Sequence, residues 1–68
     1  LKLVDARGIL CPQPVLMAKN AIKDSNEGIE VLVDNKAALG NVKRFLTKEG
    51  FAITIEEGED EYKILGRR

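Results

Sequence analysis

The chain has 68 residues, 44% of them apolar and 32% charged, with 11 Lys plus Arg against 11 Asp plus Glu and no histidine. That length bounds a single domain over residues 1–68, which buries only about 60% of its unfolded surface and has little room for a large cofactor. Balanced charge argues against a partner held by phosphate neutralisation, and the missing histidine excludes Cys–His dyads, His-based proton transfer and His metal sites.

Residues 2–6 (Lys-Leu-Val-Asp-Ala) read as a short strand that ends in a turn at Arg7-Gly8. A helix follows from about Pro12 to Ser25, with Val15, Ala18, Ala21 and Ile22 on one stripe. Residues 29–34 (Ile-Glu-Val-Leu-Val-Asp) are rich in β-branched side chains, as an interior strand should be. Asp34-Asn35 then offers a helix N-cap. The second helix runs from about Lys36 to Glu49, turning Ala38, Val42, Phe45 and Leu46 inward, and Gly50 stops it. Phe51, Ile53 and Ile55 alternate with Ala52, Thr54 and Glu56 in a half-buried strand. Residues 57–60 form a hairpin turn, residues 61–65 return as the last strand, and Gly66-Arg67-Arg68 reads as a polar tail.

The order is β-α-β-α-β-β. The simplest packing is an α/β (α+β) two-layer sandwich, a four-stranded mixed sheet with both helices on one face. No apolar run approaches the roughly 20 residues that span a bilayer, so no membrane partner is expected. A chain this short with one cysteine and no disulfide reads as intracellular, in the cytoplasm. The first residue is Leu1 rather than Met, which fits a trimmed or processed chain or a piece of a longer one.

The only cysteine, Cys11, and both prolines lie in Cys11-Pro12-Gln13-Pro14. The residue before a proline is pushed out of the α region, and proline is favoured at the first helical position. Cys11 therefore reads as the N-cap, with Pro12, Gln13 and Pro14 as the first three helical residues. Pro14 is tolerated there because its N–H would have no intrahelical partner. A thiol at a helix N-terminus has its anion stabilised by the dipole. The N–H of Gln13, with that of Val15 as the other candidate, would be left to point at the sulfur, and Arg7, after which Gly8 turns the chain, could fold back to add positive charge. Ile9, Leu10, Gln13 and Pro14 flank the thiol as a rim for a docking partner. Such a centre suits sulfur transfer, in which a thiolate takes the outer sulfur of a donor persulfide and presents it to an acceptor, with no base, metal or cofactor. From the residues alone two readings stay open: a reactive thiol, or a small buried hydrophobe beside Ile9 and Leu10. A regulatory or nucleic-acid- or protein-binding module with a non-catalytic cysteine, and a redox thiol that pairs between molecules, are the other function classes.

The pattern Asp5-x-Arg7-Gly8-x-x-Cys11-Pro12-x-Pro14-Val15, followed by Lys19 and Ala21-Ile22, resembles the TusA/SirA-like sulfur-carrier family. With Val33-Asp34-Asn35 and Asn41-Val42, the chain is most similar to the amino-terminal domain of the YedF-type selenium-metabolism branch. The resemblance implies a two-layer fold like the carboxy-terminal domain of translation initiation factor three, with strand order 1-2-4-3. It also implies that Cys11 carries a persulfide from a cysteine desulfurase to a sulfur-acceptor protein, for tRNA thiolation, cofactor assembly or selenium metabolism. On that reading the protein is a relay rather than a turnover enzyme.

Overall fold

The computed structural model describes residues 2–9, 13–24 and 28–67. The elements follow in the order β1 (Lys2–Asp5), α1 (Gln13–Asp24), β2 (Gly28–Val33), α2 (Lys36–Lys48), β3 (Ala52–Glu57) and β4 (Tyr62–Arg67). The sheet order is β1-β2-β4-β3. β1 runs parallel to β2, and β4 runs antiparallel to both β2 and β3. α1 packs on β1 and β2, α2 packs on β3 and β4, and the helices pack on each other. The architecture is the two-layer mixed-sheet sandwich that the element order implies.

Strand alternation explains which side chains meet the helices. Val4 and Ala6, Ile29, Val31 and Val33, and Ile64 are buried on the helix side of the sheet. Ala18, Ala21 and Ile22 from α1 and Ala38, Val42 and Leu46 from α2 close the core from above, with Phe45, Val15 and Met17 packed at its margin. No polar or charged side chain is buried among the described residues. Asn35 caps α2 by accepting the Ala38 N–H at 2.7 Å. Gly50, at φ +93°, follows the C-cap Glu49.

The helix limits expected at Pro12 and Ser25 lie outside the described residues; Gln13 to Asp24 is helical. The first strand stops one residue earlier than expected, yet the Ala6 N–H still donates to the Leu32 carbonyl at 2.8 Å.

The carboxy-terminal tail is a correction. Gly66 and Arg67 belong to β4, where Gly66 pairs with Ile29 on one side and Ile53 on the other. Gly66 reads as the start of a polar tail because it has no side chain, and that same property lets the strand continue. A Cβ there would stand 3.2 Å from Ile29 Cγ2 and 3.3 Å from Phe51 Cδ2. Both neighbours are locked inside the core, so overpacking outweighs any gain from stiffening the unfolded chain. Gly66→Ala is expected to destabilise the fold by about 1 kcal/mol, read as a lower denaturant midpoint at unchanged slope. An unchanged or higher midpoint would contradict this packing.

Candidate functional site

Topology gathers one end of the sheet into a single region. β1 and β2 are parallel, so their carboxy-terminal ends lie side by side. In an open sheet this is where functional residues collect. Each of these strands is followed by a helix, so the amino-terminal ends of α1 and α2 open at the same end. β4 is antiparallel to β2 with Val33 opposite Tyr62, which brings Glu61 to this end as well. Arg7, Gly8 and Ile9, which follow β1, and Gln13, which opens α1, lie here. Leu10, Cys11 and Pro12 themselves lie outside the described residues.

Arg7 is braced by two carboxylates. Its Nε and Nη2 form a fork on Asp5, at 2.9 Å to Oδ1 and 2.8 Å to Oδ2, while its backbone N–H reaches Oδ1 at 3.2 Å. Nη1 lies 3.4 Å from Glu61 Oε1. Asp5 alternates with the buried Val4 and Ala6, so this cluster stands on the open face of the sheet, away from the helices. The Arg7 charge, expected to be available to the thiol, is therefore matched by Asp5 and Glu61 and ties the turn to the sheet. The guanidinium is held more firmly protonated, mainly by the hydrogen bond to Asp5.

The same bond holds the Asp5 carboxyl down from its ordinary 3.8 to about 2, with the Arg7 backbone N–H adding to the effect. Ionised Asp5 therefore favours the folded state above the ordinary value, and that contribution is lost as pH falls toward about 2. Solvent exposure keeps it small. Arg7→Ala is expected to return the Asp5 titration, followed by carboxyl NMR shifts, toward its ordinary value; an unmoved titration would contradict the fork.

Gly8 turns the chain with φ +72°, a left-handed conformation that a side chain disfavours. Its N–H donates to Asp34 Oδ2 at 2.7 Å. Ile9 packs half-buried against the core, and Gln13 is exposed at the start of α1. No acidic residue falls in the first turn of either helix, so the positive dipole ends are not answered by their own first-turn side chains.

Pro14 departs from its expected place on a docking rim. It is among the most completely buried side chains of the protein. Its ring anchors the first turn of α1 in the core, leaving Gln13 as the exposed described member of that rim. The residues missed from sequence are Asp34 and Glu61, which lie 26 and 54 positions from Gly8 and Arg7, their respective partners. The one available signal was the parallel pairing of the first two strands, which sets the residues after each side by side.

The family model for the sulfurtransferase TusA matches residues 2–68. The chain belongs to the TusA family. A Methanocaldococcus jannaschii protein with a provisional sulfur-carrier name is 41% identical over 68 residues, covering 96% of this chain and 91% of its own length. A Halobacterium salinarum protein with the same kind of name is 33% identical over 69 residues, covering 96% and 85% respectively. The crystal structure of a SirA-like protein from Desulfitobacterium hafniense superimposes with a TM-score of 0.89 at 27% identity, covering 98% of this chain and 96% of that one. The TusA family assignment thus agrees with the motif around Cys11, and the shared architecture extends across both helices and all four strands. Among the described residues, no helix is long and apolar enough to cross a membrane.

Proposed function

We infer that this protein is a sulfur carrier that accepts a persulfide sulfur on Cys11 from a cysteine desulfurase and relays it to an acceptor protein. The observation that supports this reading best is the family match across residues 2–68, a span that includes the only cysteine of the chain. In the loading step the Cys11 thiolate attacks the outer sulfur of the donor's persulfide. A new sulfur–sulfur bond forms on Cys11, the donor's own sulfur–sulfur bond breaks, and the donor cysteine leaves as a thiolate. One persulfide is exchanged for another, so no external oxidant or reductant is consumed. Delivery repeats the exchange with the acceptor's thiol as nucleophile.

In this reading Gly8 and Pro14 set the path of the chain into and out of the thiol segment. Gln13 and Pro12 shape the helix start, and Arg7 secures the turn. The relay operates in the cytoplasm, where thiols stay reduced. Incubating the protein with a cysteine desulfurase and cysteine is expected to add the mass of one sulfur atom to Cys11. Replacing cysteine by selenocysteine in the same assay distinguishes a selenium relay of the YedF-like kind from a sulfur relay. No mass gain with any desulfurase would overturn the carrier reading.

A further inference from the structure

We propose that Asp34 is a positioning residue for the Cys11 thiol, acting through its hydrogen bond to the Gly8 backbone. The proposal rests on the reading of Cys11 as a reactive thiol.

Asp34 immediately follows β2 and precedes the cap of α2. An Asp-Asn pair at a helix start is ordinarily explained by capping alone. Here Asn35 provides the cap by itself, with its Oδ1 on the Ala38 N–H at 2.7 Å. The Asp34 carboxylate is left for other work. Its Oδ2 accepts the Gly8 N–H at 2.7 Å, and its Oδ1 accepts from Asn35 Nδ2 at 3.2 Å. Both oxygens are engaged, so the carboxylate is oriented from the α2 side and holds the Gly8 turn from across the sheet end. A charge-assisted bond of this length is among the stronger ones available at a surface.

Gly8 is three residues before Cys11. Its left-handed backbone is the point at which the chain leaves β1 for the thiol segment, and the direction of its N–H fixes that departure. On the far side of Cys11 the buried Pro14 fixes the entry into α1. Gly8 and Pro14, the described residues on either side of Cys11 in the sequence, are thus both held, Pro14 by the core and Gly8 by Asp34.

Two roles for Asp34 predict opposite signs. A carboxylate acting only by its charge disfavours a nearby thiolate, so its removal would speed the thiol's reactions. A carboxylate that positions the turn favours the reactive geometry, so its removal slows them. Of the other charged side chains at this end of the sheet, Asp5, Arg7 and Glu61 are engaged with one another, while Lys36 at the start of α2 and Glu57, Glu59 and Asp60 around the β3–β4 turn are the same in every variant compared.

The test is the rate of Cys11 alkylation by iodoacetamide from about pH 5 to about pH 9, which spans ordinary and lowered thiol titrations. Asp34→Ala is expected to react about three- to tenfold more slowly near neutral pH, with the midpoint of the pH–rate profile moved upward. Asp34→Asn keeps an oxygen for the Gly8 N–H while losing the charge, and is expected to react at least as fast as the parent. Gly66→Ala, a destabilising change at the opposite end of the sheet, is expected to leave the rate unchanged. A parental or faster rate for Asp34→Ala overturns the proposal, as does a slowed Gly66→Ala protein. Should Asp34→Ala fail to fold, a slowed Asp34→Asn protein overturns it. Alkylation reports the thiol whether or not sulfur is ever loaded. A parent protein that takes no sulfur therefore counts against the carrier reading without touching this result.

Discussion

A Cys11→Ser protein is expected to fold like its parent and to take up no sulfur at all. The loss is complete because the chain carries no second cysteine to substitute for Cys11. A serine hydroxyl remains protonated near neutral pH and lacks a base to activate it, since there is no histidine on the chain. Even ionised, oxygen would not form the sulfur–sulfur bond that defines the carried state. Folding should survive because serine differs from cysteine by a single atom and is favoured in the residues just before a helix, and α1 begins at Gln13. The check is intact-mass measurement after incubation with a cysteine desulfurase and cysteine, beside a far-ultraviolet circular dichroism spectrum. Sulfur retained by the serine protein would show that Cys11 is not the carrier.

Leu46→Ala is expected to cost about 2–5 kcal/mol of folding stability. Leu46 is fully buried and shares the inward face of α2 with Ala38 and Val42, all three spaced one helical turn apart. Its side chain closes the core over the sheet, where Ile29, Val31 and Ile64 are equally enclosed. Truncation removes apolar contact and leaves a hole that neighbours fixed in strands fill poorly. The backbone bonds that end the helix, from the Glu49 and Phe51 N–H groups to the Leu46 carbonyl, are untouched. The whole effect is therefore one of packing. Sixty-eight residues correspond to a stability of only about 3–10 kcal/mol at typical per-residue values, so this single change removes a large share of it. Urea unfolding should show a much lower midpoint at an unchanged slope. A loss below about 1 kcal/mol would mean that the core collapses around the gap.

The two predictions probe separate parts of the molecule. Leu46 belongs to the core that fixes the sheet and helices, whereas Cys11 falls in the sequence between β1 and α1, outside the described residues. Both helices begin at one end of the sheet because each follows one of the two parallel strands. Any chain with this order, and with those strands paired in parallel, assembles the same arrangement of helix starts around the first βα turn. A thiol placed in that turn needs no pocket, which suits a protein with little interior to spare.

What the amino-acid sequence determined by itself was local. The period of Ala18, Ala21 and Ile22, the alternation of Ile53 and Ile55, the Asn35 cap and the Gly50 stop are all set by residues within one or two turns of each other. Element type and order were legible from them. The expectation of a thiol at a helix start, from Cys11 before Pro12, was equally local, and it falls on residues outside those described. The strand order 1-2-4-3 was not legible in these patterns and came with the family resemblance. Tertiary structure alone decided the rest. Gly66 reads as a tail residue until Ile29 and Phe51 close on it from distant parts of the chain. Pro14 reads as an exposed helix-start residue until the core is seen to enclose its ring. Arg7 reads as a free cation until Glu61 arrives from the far end of the sequence, and Asp34 reads as half of a cap until Gly8 is found on its carboxylate. Each of these depends on a partner set by sheet pairing and layer packing, and side-chain periodicity records which face a residue turns inward but not which residue it will meet there.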